Sequence, residues 1–469
     1  MSFVFYDTET TGINTSFDQI LQFAAIRTDD QLNELEAAFE IRSRLLPHIV
    51  PSPGAMRANR VTVHQLTDET LPSHYEMVRQ IRQRLLAWSP AVFIGYNSIE
   101  FDEHLLRQAF YKTLHPPYMT NTNGNVRCDA LRLMQAASVF APDAIAVAVG
   151  KNGRSTYRLD RLAPANGFAH EHAHDALADV RATIHLCRLL MRRAPEFWTS
   201  AIQFTRNLLI IDFVATAPLF GLTDFYWGRA HSWIVSMIGS NGDNSNEIYL
   251  YNLAVDPERL TGLSQRALCS RCARPPKPIR RMRANALPIL SALENAPPFA
   301  EGFSLGSAEL QRRANFLRAN SDLRLRLIAA FEAIRESREP SPHIEEQIYG
   351  DFFSDTDEYL MEYFHSVPWK ERFAVVETFE DSRLREIGYR LIHCERPDLL
   401  DRPTYQAHTD RIARSLLGLD GEAPWLTLRQ AIREANDLLE TREGSELTHI
   451  AAHRDYLQRR LAEAMRLTL

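Results

Sequence analysis

FVFYDTETTG, residues 3–12, is the stretch whose reading decides the fold. Phe3 to Tyr6 read as a short apolar strand that delivers Asp7 and Glu9 at its end. Residues two apart on a strand project to the same side. Two carboxylates held together in this way repel each other and lose hydration unless a cation sits between them. Carboxylate oxygens suit Mg²⁺ or Mn²⁺, and Mg²⁺ is usually held by only one or two carboxylates plus substrate phosphate. An isolated D-x-E is more often a solvated strand end, so its meaning rests on what the rest of the chain adds.

Working outward, QILQFAAIRTD (residues 19–29) reads as a second strand antiparallel to the first, with a third near Phe39 to Leu46. Tyr75 to Trp88 carries apolar residues at helical spacing. AVFIGYNSIEFDEHLLRQAFYK then gives a buried strand (Ala91 to Ile94), a glycine turn and a helix. Asn97 followed by Glu100 predicts an N-cap and capping box, which places Asp102 in the second turn. A helix is expected from Asp129 to Val139, then a loop with Gly150, Asn152 and Gly153, and a short helix in YRLDRLAPANGF ended by Asn166 and Gly167. HAHDALADVRATIHLCRLLMRR has one apolar helical face with Asp175 as its N-cap. Strands alternating with helices to about residue 195 predict an α/β domain.

Beyond Pro195 the character changes. FYWGRAHSWIVSMIG and NEIYLYNLAV flank the turn-rich SNGDNSN, a hairpin signature, and a helical stretch follows from Leu310 to Ile334. From Ile348 onward, runs such as LRQAIREANDLL and DYLQRRLAEAMRL predict a helical bundle. The expected division is 1–196, 197–347 and 348–469.

With 469 residues and 45% hydrophobic content, two or three conventional cores are expected. The longest apolar stretch, Leu208 to Leu222, is broken by Asp212 and Pro218 and falls short of a membrane span. The first strand leaves no room for a cleavable leader, so a cytoplasmic protein is expected. Five cysteines suit a reducing compartment, and the CxxC of Cys269 and Cys272 lacks a second pair at zinc-finger spacing. Net charge is −6, yet Arg259 to Leu293 contains no acid and eight cations, among them Arg280, Arg281 and Arg283. Such a run is either a solvated face or a phosphate-tracking surface.

Four acids now stand at informative places: Asp7, Glu9, Asp102 and Asp179. His174 lies five residues before Asp179. With Asp175 as cap it belongs to the preceding loop, free to lean over the carboxylates, and a neutral imidazole there is suited to take a proton from water. The plain alternative is one more surface histidine beside His170 and His172.

This constellation resembles the DEDD exonuclease superfamily: D-x-E, then an Asp after a strand, then an Asp paired with His or Tyr. H-x4-D, from His174 to Asp179, is similar to its histidine branch (DEDDh), and position 175 excludes the tyrosine branch. QFAAIRTD, the GYN before Asp102, RQAFY, YRLDRLAPANG and QIYGDFFSDTD further resemble the bacterial exodeoxyribonuclease I family. That resemblance implies an α/β ribonuclease H-like nuclease domain with a mixed sheet and flanking helices, then an SH3-like β-rich domain and a C-terminal α-helical domain. Thr8 departs from it, since the family commonly carries an aromatic residue there.

The resemblance implies two-metal hydrolysis, with Asp7, Glu9, Asp102 and Asp179 holding two Mg²⁺ ions, Mn²⁺ as a substitute, and His174 as general base. It implies processive 3′-to-5′ degradation of single-stranded DNA to 5′-mononucleotides in repair and recombination. Arg158 matches a phosphate contact, and Arg107 and Tyr118 match strand contacts, with Tyr118 able to stack on a base. Plain readings are a helix-surface charge for Arg158 and a packed helix end for the other two. The implied partners are single-stranded DNA and the acidic C-terminal tail of single-stranded DNA-binding protein; no membrane is expected, and the protein is expected to be a monomer. A DEDDh exoribonuclease or a proofreading exonuclease is the alternative enzyme, against which the large extra domains argue. An inactive nucleic-acid-binding protein is the alternative of another class.

Overall fold

The structure, a computed structural model, describes residues 2–150, 153–170, 174–335, 340–441 and 446–468. The chain divides into two compact units, one of residues 1–127, 170–184 and 340–469, the other of residues 128–169 and 185–339.

In the first unit, β1 (Ser2–Thr10) pairs antiparallel with β2 (Ile20–Thr28), which pairs antiparallel with β3 (Phe39–Arg42). Helix α1 (His74–Ala87) follows, then β4 (Ala91–Gly95), which lies parallel to β1 from Ser2↔Ala91 to Phe5↔Ile94. Helix α2 (Asp102–Lys112) leads to β5 (Val126–Asp129), within which the chain passes into the second unit. The sheet is mixed, in the order β3-β2-β1-β4-β5. Because β1 is central, Phe3 to Tyr6 are buried on both faces, and this is why they read as a continuous apolar run. Tyr6 stacks on Phe23 at 6.1 Å within the core formed with α1 and α2.

Two expectations are corrected. β1 does not end before Asp7 but runs through both acids, its pairing with β2 continuing to Glu9↔Gln22. Pairing with β4 stops at Phe5, so Asp7 and Glu9 stand where that neighbour has turned away toward α2. Nor does Asn97 cap a helix. It adopts φ 61°, and α2 begins at Asp102 with no side-chain cap, so Asp102 opens the helix and does not sit in its second turn. The turn is tight because a Cβ on Gly95 would meet Ser98 at 2.5 Å.

Helix α3 (Ala130–Phe140) is capped by Asp129, and the short helix Leu159–Ala165 ends at Asn166 and Gly167 as expected. Helix α4 (Ala176–Arg193) carries the later acids. Asn152 and His172 lie outside the described residues.

The β-rich region is a five-stranded antiparallel sheet of β6 (Phe220–Tyr226), β7 (Arg229–Ser240), β8 (Glu247–Asn252), β9 (Ile279–Arg283) and β10 (Ile289–Ser291), in the order β9-β8-β7-β6-β10. FYWGRAHSWIVSMIG, read above as one segment, contains a turn: Trp227 and Gly228 adopt φ 52° and 76° between β6 and β7. Alternate residues of β7 and β8 enter different cores, Ile234 with Tyr249 and Tyr251 on one face, Trp233 and Val235 with Ile248 and Leu250 on the other. The stretch from Leu310 to Ile334 is two helices, Ser307–Ala319 and Ser321–Ala333. Helices from Asp355 to Leu467 complete the first unit. Among the described residues, no helix is long and apolar enough to cross a membrane.

Candidate active site: acids on the central strand

Glu9 of β1 meets His174 and Asp179, with one ligand atom of each lying within 4.8 Å of the others. Asp175 makes this possible. Its Oδ1 accepts from the Ala178 N–H and caps α4, which leaves His174 outside the helix, exposed, with φ 67°. Asp175 is itself tied to the sheet by Gln22, the cross-strand partner of Glu9, at 3.0 Å and by Arg42 at 3.0 Å. Burial opposes its ionisation, but the bonds from Gln22, Ala178 and Arg42 hold it below its ordinary value.

Asp7 and Asp102 stand beside this triad. Burial, followed by the like charges of Asp102, Asp179 and Glu9, pushes the Asp7 carboxyl well above the ordinary range. Burial and the charges of Asp179, Asp102 and Asp175 push Glu9 up to about 8, with only Arg42 opposing. Asp102 is 3% exposed, and its Oδ1 accepts from both the N–H (3.1 Å) and the hydroxyl (2.6 Å) of Thr8. His170 Nε2 lies 2.7 Å from Asp179 Oδ1, with its ring withdrawn from solvent.

Asp7 and Glu9 are thus pushed up by burial and by their acidic neighbours, with little positive charge to relieve them. A hard divalent cation answers that repulsion, and the oxygen-rich donor set with one imidazole fits it. The donors lie on a strand, a helix start and a capped loop, which are rigid supports for such a site.

Of the other expected contacts, Arg107 is 9% exposed and committed to Glu103 (3.0 Å) and Asn121 (2.9 Å), with its guanidinium 5.1 Å over the Tyr118 ring. Tyr118 is half-buried, donates to the Ile348 carbonyl and packs edge-on against exposed Phe352 at 6.0 Å. Arg158 belongs to the second unit, where it precedes the helix Leu159–Ala165, exposed and bonded to Asp160 at 3.0 Å. The basic run is divided: Arg280 lies 3.5 Å over Trp233, Arg281 pairs with Glu247, and Arg266, Arg274 and Lys277 are exposed. Cys272 is a free cysteine packed in the apolar core.

Thr8, read above only as a departure from the family pattern, and His170, read only as a surface histidine, are residues of the site. Thr8 lies between two acids and could have been flagged by position alone. His170 stands nine residues before Asp179, a separation with no period to reveal it.

Comparison with known proteins places the chain in context. An Exonuclease family profile matches residues 4–187, and the Exonuclease I C-terminal domain matches residues 342–460. Exodeoxyribonuclease I of Escherichia coli (strain K12) is 27% identical over 416 residues, covering 85% of this chain and 86% of that protein. Its counterpart from Haemophilus influenzae is 28% identical over 418 residues, covering 84% and 86%. The structure of E. coli exonuclease I in complex with a dA16 oligonucleotide superimposes with a TM-score of 0.85 over 98% of this chain and 99% of that one, at 24% identity.

Proposed function

The chain is a homologue of bacterial exodeoxyribonuclease I, and from that premise we propose that it removes 5′-mononucleotides processively from the 3′ end of single-stranded DNA, in repair and recombination. It is a nuclease of the hydrolase class that depends on a divalent cation. The observation that carries the reading is the approach of Glu9, His174 and Asp179 within 4.8 Å, beside Asp7, whose carboxyl burial and the charge of Asp102 push up.

Asp7, Glu9, Asp102 and Asp179 are the residues we assign to hold Mg²⁺, as two ions, with Mn²⁺ as a substitute. Held by these four carboxylates, a divalent cation would neutralise their charge and supply Lewis-acid polarisation of water and phosphate. His174 takes the proton of the attacking water on an imidazole nitrogen, for which an exposed loop beside the acids suits it. The water's oxygen bonds to phosphorus as the bond to the preceding 3′ oxygen breaks. Thr8 and His170 hold the Asp102 and Asp179 carboxylates in place. Arg158 is assigned to phosphate. Arg107 and Tyr118 are assigned to strand contacts, Arg107 being bonded to Glu103 with its guanidinium over the ring of Tyr118.

We further assign three functional segments, 1–196, 197–347 and 348–469, a monomeric and cytoplasmic protein, and the acidic tail of single-stranded DNA-binding protein as partner, for which exposed Arg266, Arg274 and Lys277 are suited. The test is mononucleotide release from 3′- and 5′-labelled single-stranded DNA, duplex DNA and RNA, with Mg²⁺ and with EDTA. Release from the 3′ end of single strands, abolished by EDTA, is expected, and preferential degradation of RNA overturns the assignment. His174→Ala should keep metal and DNA binding while losing rate by about 10²- to 10⁴-fold. Near wild-type turnover removes His174 from the mechanism.

A further inference from the structure

Gln22 and Arg42 stand in one row with Glu9. β1 pairs with β2 at Glu9↔Gln22, and β2 pairs with β3 at Gln22↔Arg42, so these residues of neighbouring strands lie directly opposite one another. Residues opposite each other in a sheet project to the same face. The start of α4 is docked on that row.

The docking uses both oxygens of one carboxylate. Asp175 Oδ1 caps α4 through the Ala178 N–H at 3.2 Å. Its Oδ2 accepts from Gln22 Nε2 and from a terminal nitrogen of Arg42, each at 3.0 Å. Gln22 Oε1 accepts in turn from the Ala176 N–H at 3.4 Å, a second bond to the first turn of the same helix. Bonds from two strands thus fix the start of α4 both in place and in rotation about its axis. His174 immediately precedes this anchor, with a left-handed φ of 67° that a residue bearing a Cβ adopts only where its surroundings impose it. Its side chain is exposed, so the anchored neighbour, and not packing, sets its direction toward Glu9 and Asp179.

Glu40, two residues from Arg42 on β3, shares the same donors: its Oε1 accepts from Gln22 Nε2 at 2.9 Å and from Arg42 at 3.3 Å. Arg42 is therefore the cation between two carboxylates. The side chains of Arg42, Glu40 and Asp175 are 31%, 35% and 38% exposed, and ion pairs so exposed contribute little to stability. Their effect is on geometry. Without Arg42, the like charges of Asp175 and Glu40 face each other across Gln22 and push the start of α4 off the sheet.

We propose that Arg42 and Gln22 are positioning residues for the hydrolysis: through Asp175 they hold the His174 imidazole where the attacking water gives up its proton. This rests on the nuclease reading above and extends its site to the edge strand β3, whose Arg42 acts through Asp175. A small misplacement of a catalytic group is enough to slow a reaction by about 10²-fold.

Single-turnover cleavage of single-stranded DNA in saturating Mg²⁺ tests it, with KM, Mn²⁺ affinity and melting temperature read on the same variants. Arg42 also places its charge near Glu9, so the neutral change Gln22→Met separates anchor from field. Gln22→Met should slow cleavage by about 10- to 100-fold, with KM, Mn²⁺ affinity and melting temperature little changed. Arg42→Met should behave alike. Arg42→Lys should recover most of the rate, because the bond to Asp175 uses a single terminal nitrogen. In a His174→Ala background, Gln22→Met should slow cleavage no further, since both changes remove one function. The proposal is overturned if Gln22→Met and Arg42→Met cleave at the wild-type rate, if their losses appear in KM or melting temperature alone, or if Gln22→Met slows the His174→Ala protein by its full factor. The two readings fail distinguishably. A wild-type protein that leaves DNA intact in Mg²⁺ sinks the nuclease reading and this role with it, whereas equal hydrolysis by wild type and variants sinks the positioning role alone.

Discussion

Asp102 and Glu103 are consecutive, both at the start of one helix and both buried, yet they are treated in opposite ways. Glu103 accepts from Arg107, Thr120 and the Tyr6 hydroxyl and lies 3.5 Å from Arg127. Burial opposes its ionisation, but Arg107 and Arg127 outweigh it and hold the carboxyl below its ordinary value. Asp102 instead faces Asp7 and helps to push that carboxyl up, together with Asp179 and Glu9. Glu103 is an acid whose charge the protein has fully answered, while the cluster around Asp102 is one whose charge it has left for something else to answer. Burial alone does not separate a structural acid from a functional one. The balance of counter-charge does.

Substitutions at the two kinds of acid should break the protein in different places. Asp7→Asn should cost hydrolysis of single-stranded DNA roughly 10³- to 10⁵-fold, by removing a cation ligand, and should raise the melting temperature of the cation-free protein by relieving repulsion. A cation-free protein that melts lower than wild type contradicts the unanswered charge. Glu103→Ala should do the reverse. It strands Arg107 and Arg127 in the interior at a cost of about 3–5 kcal/mol, read by denaturant titration, with turnover retained where the fold persists. Wild-type stability would show that the network around Glu103 is dispensable.

Acidification separates the two in sign. Glu9 titrates near 8 in the folded, cation-free state and near 4.5 when unfolded, so between these values only the folded state holds the proton. Its contribution is therefore fully present below about 4.5 and is lost as pH climbs toward 8, and Asp7 shifts in the same direction. Glu103, lowered on folding, contributes stability above its ordinary value that is lost on acidification. Mn²⁺ binds the ionised acids, so the rise in melting temperature it causes should grow from pH 5 to pH 8, by roughly 1–3 kcal/mol of stabilisation, and should shrink in Asp7→Asn. A rise independent of pH would mean that the acids are already ionised without the cation.

Much of this was legible in the sequence, and for physical reasons. A central strand is apolar on both faces, so Phe3 to Tyr6 announce themselves, and a period of two puts Asp7 and Glu9 on one side. Asp175 is a strong capping residue, and its capping of α4 is what frees His174. The misreadings were local signals overruled by geometry. Asn97 and Glu100 have capping-box spacing, but the close approach of Gly95 to Ser98 folds the chain into a left-handed turn at Asn97 before any helix can start. Arg107 is drawn inside by Glu103, four residues earlier, as the plain reading of a packed helix end expects. Trp227 and Gly228 make a turn inside the segment FYWGRAHSWIVSMIG because both adopt a positive φ, which glycine takes without strain and the periodicity of the flanking residues does not reveal. His170 reaches Asp179 through tertiary structure alone.

Thr8 stands at the seam of the comparison, between Asp7 and Glu9 in sequence and bonded in space to Asp102. Its side chain lies on the opposite side of β1 from theirs, and its N–H and hydroxyl both donate to Asp102. An uncharged donor fixes a carboxylate's orientation without neutralising it, so the charge stays available to a bound cation. Thr8→Val keeps the N–H and the branched shape but deletes the hydroxyl, and a hydrogen bond to an ionised group is worth about 1.5–3 kcal/mol. The expected result is a loss of roughly tenfold in turnover and in Mn²⁺ affinity, with KM for single-stranded DNA and the melting temperature little changed. Thr8→Ser, which restores the hydroxyl, should recover both. If Thr8→Val turns over at the wild-type rate with wild-type Mn²⁺ dependence, the backbone N–H alone orients Asp102, and the hydroxyl is a packing detail of the strand.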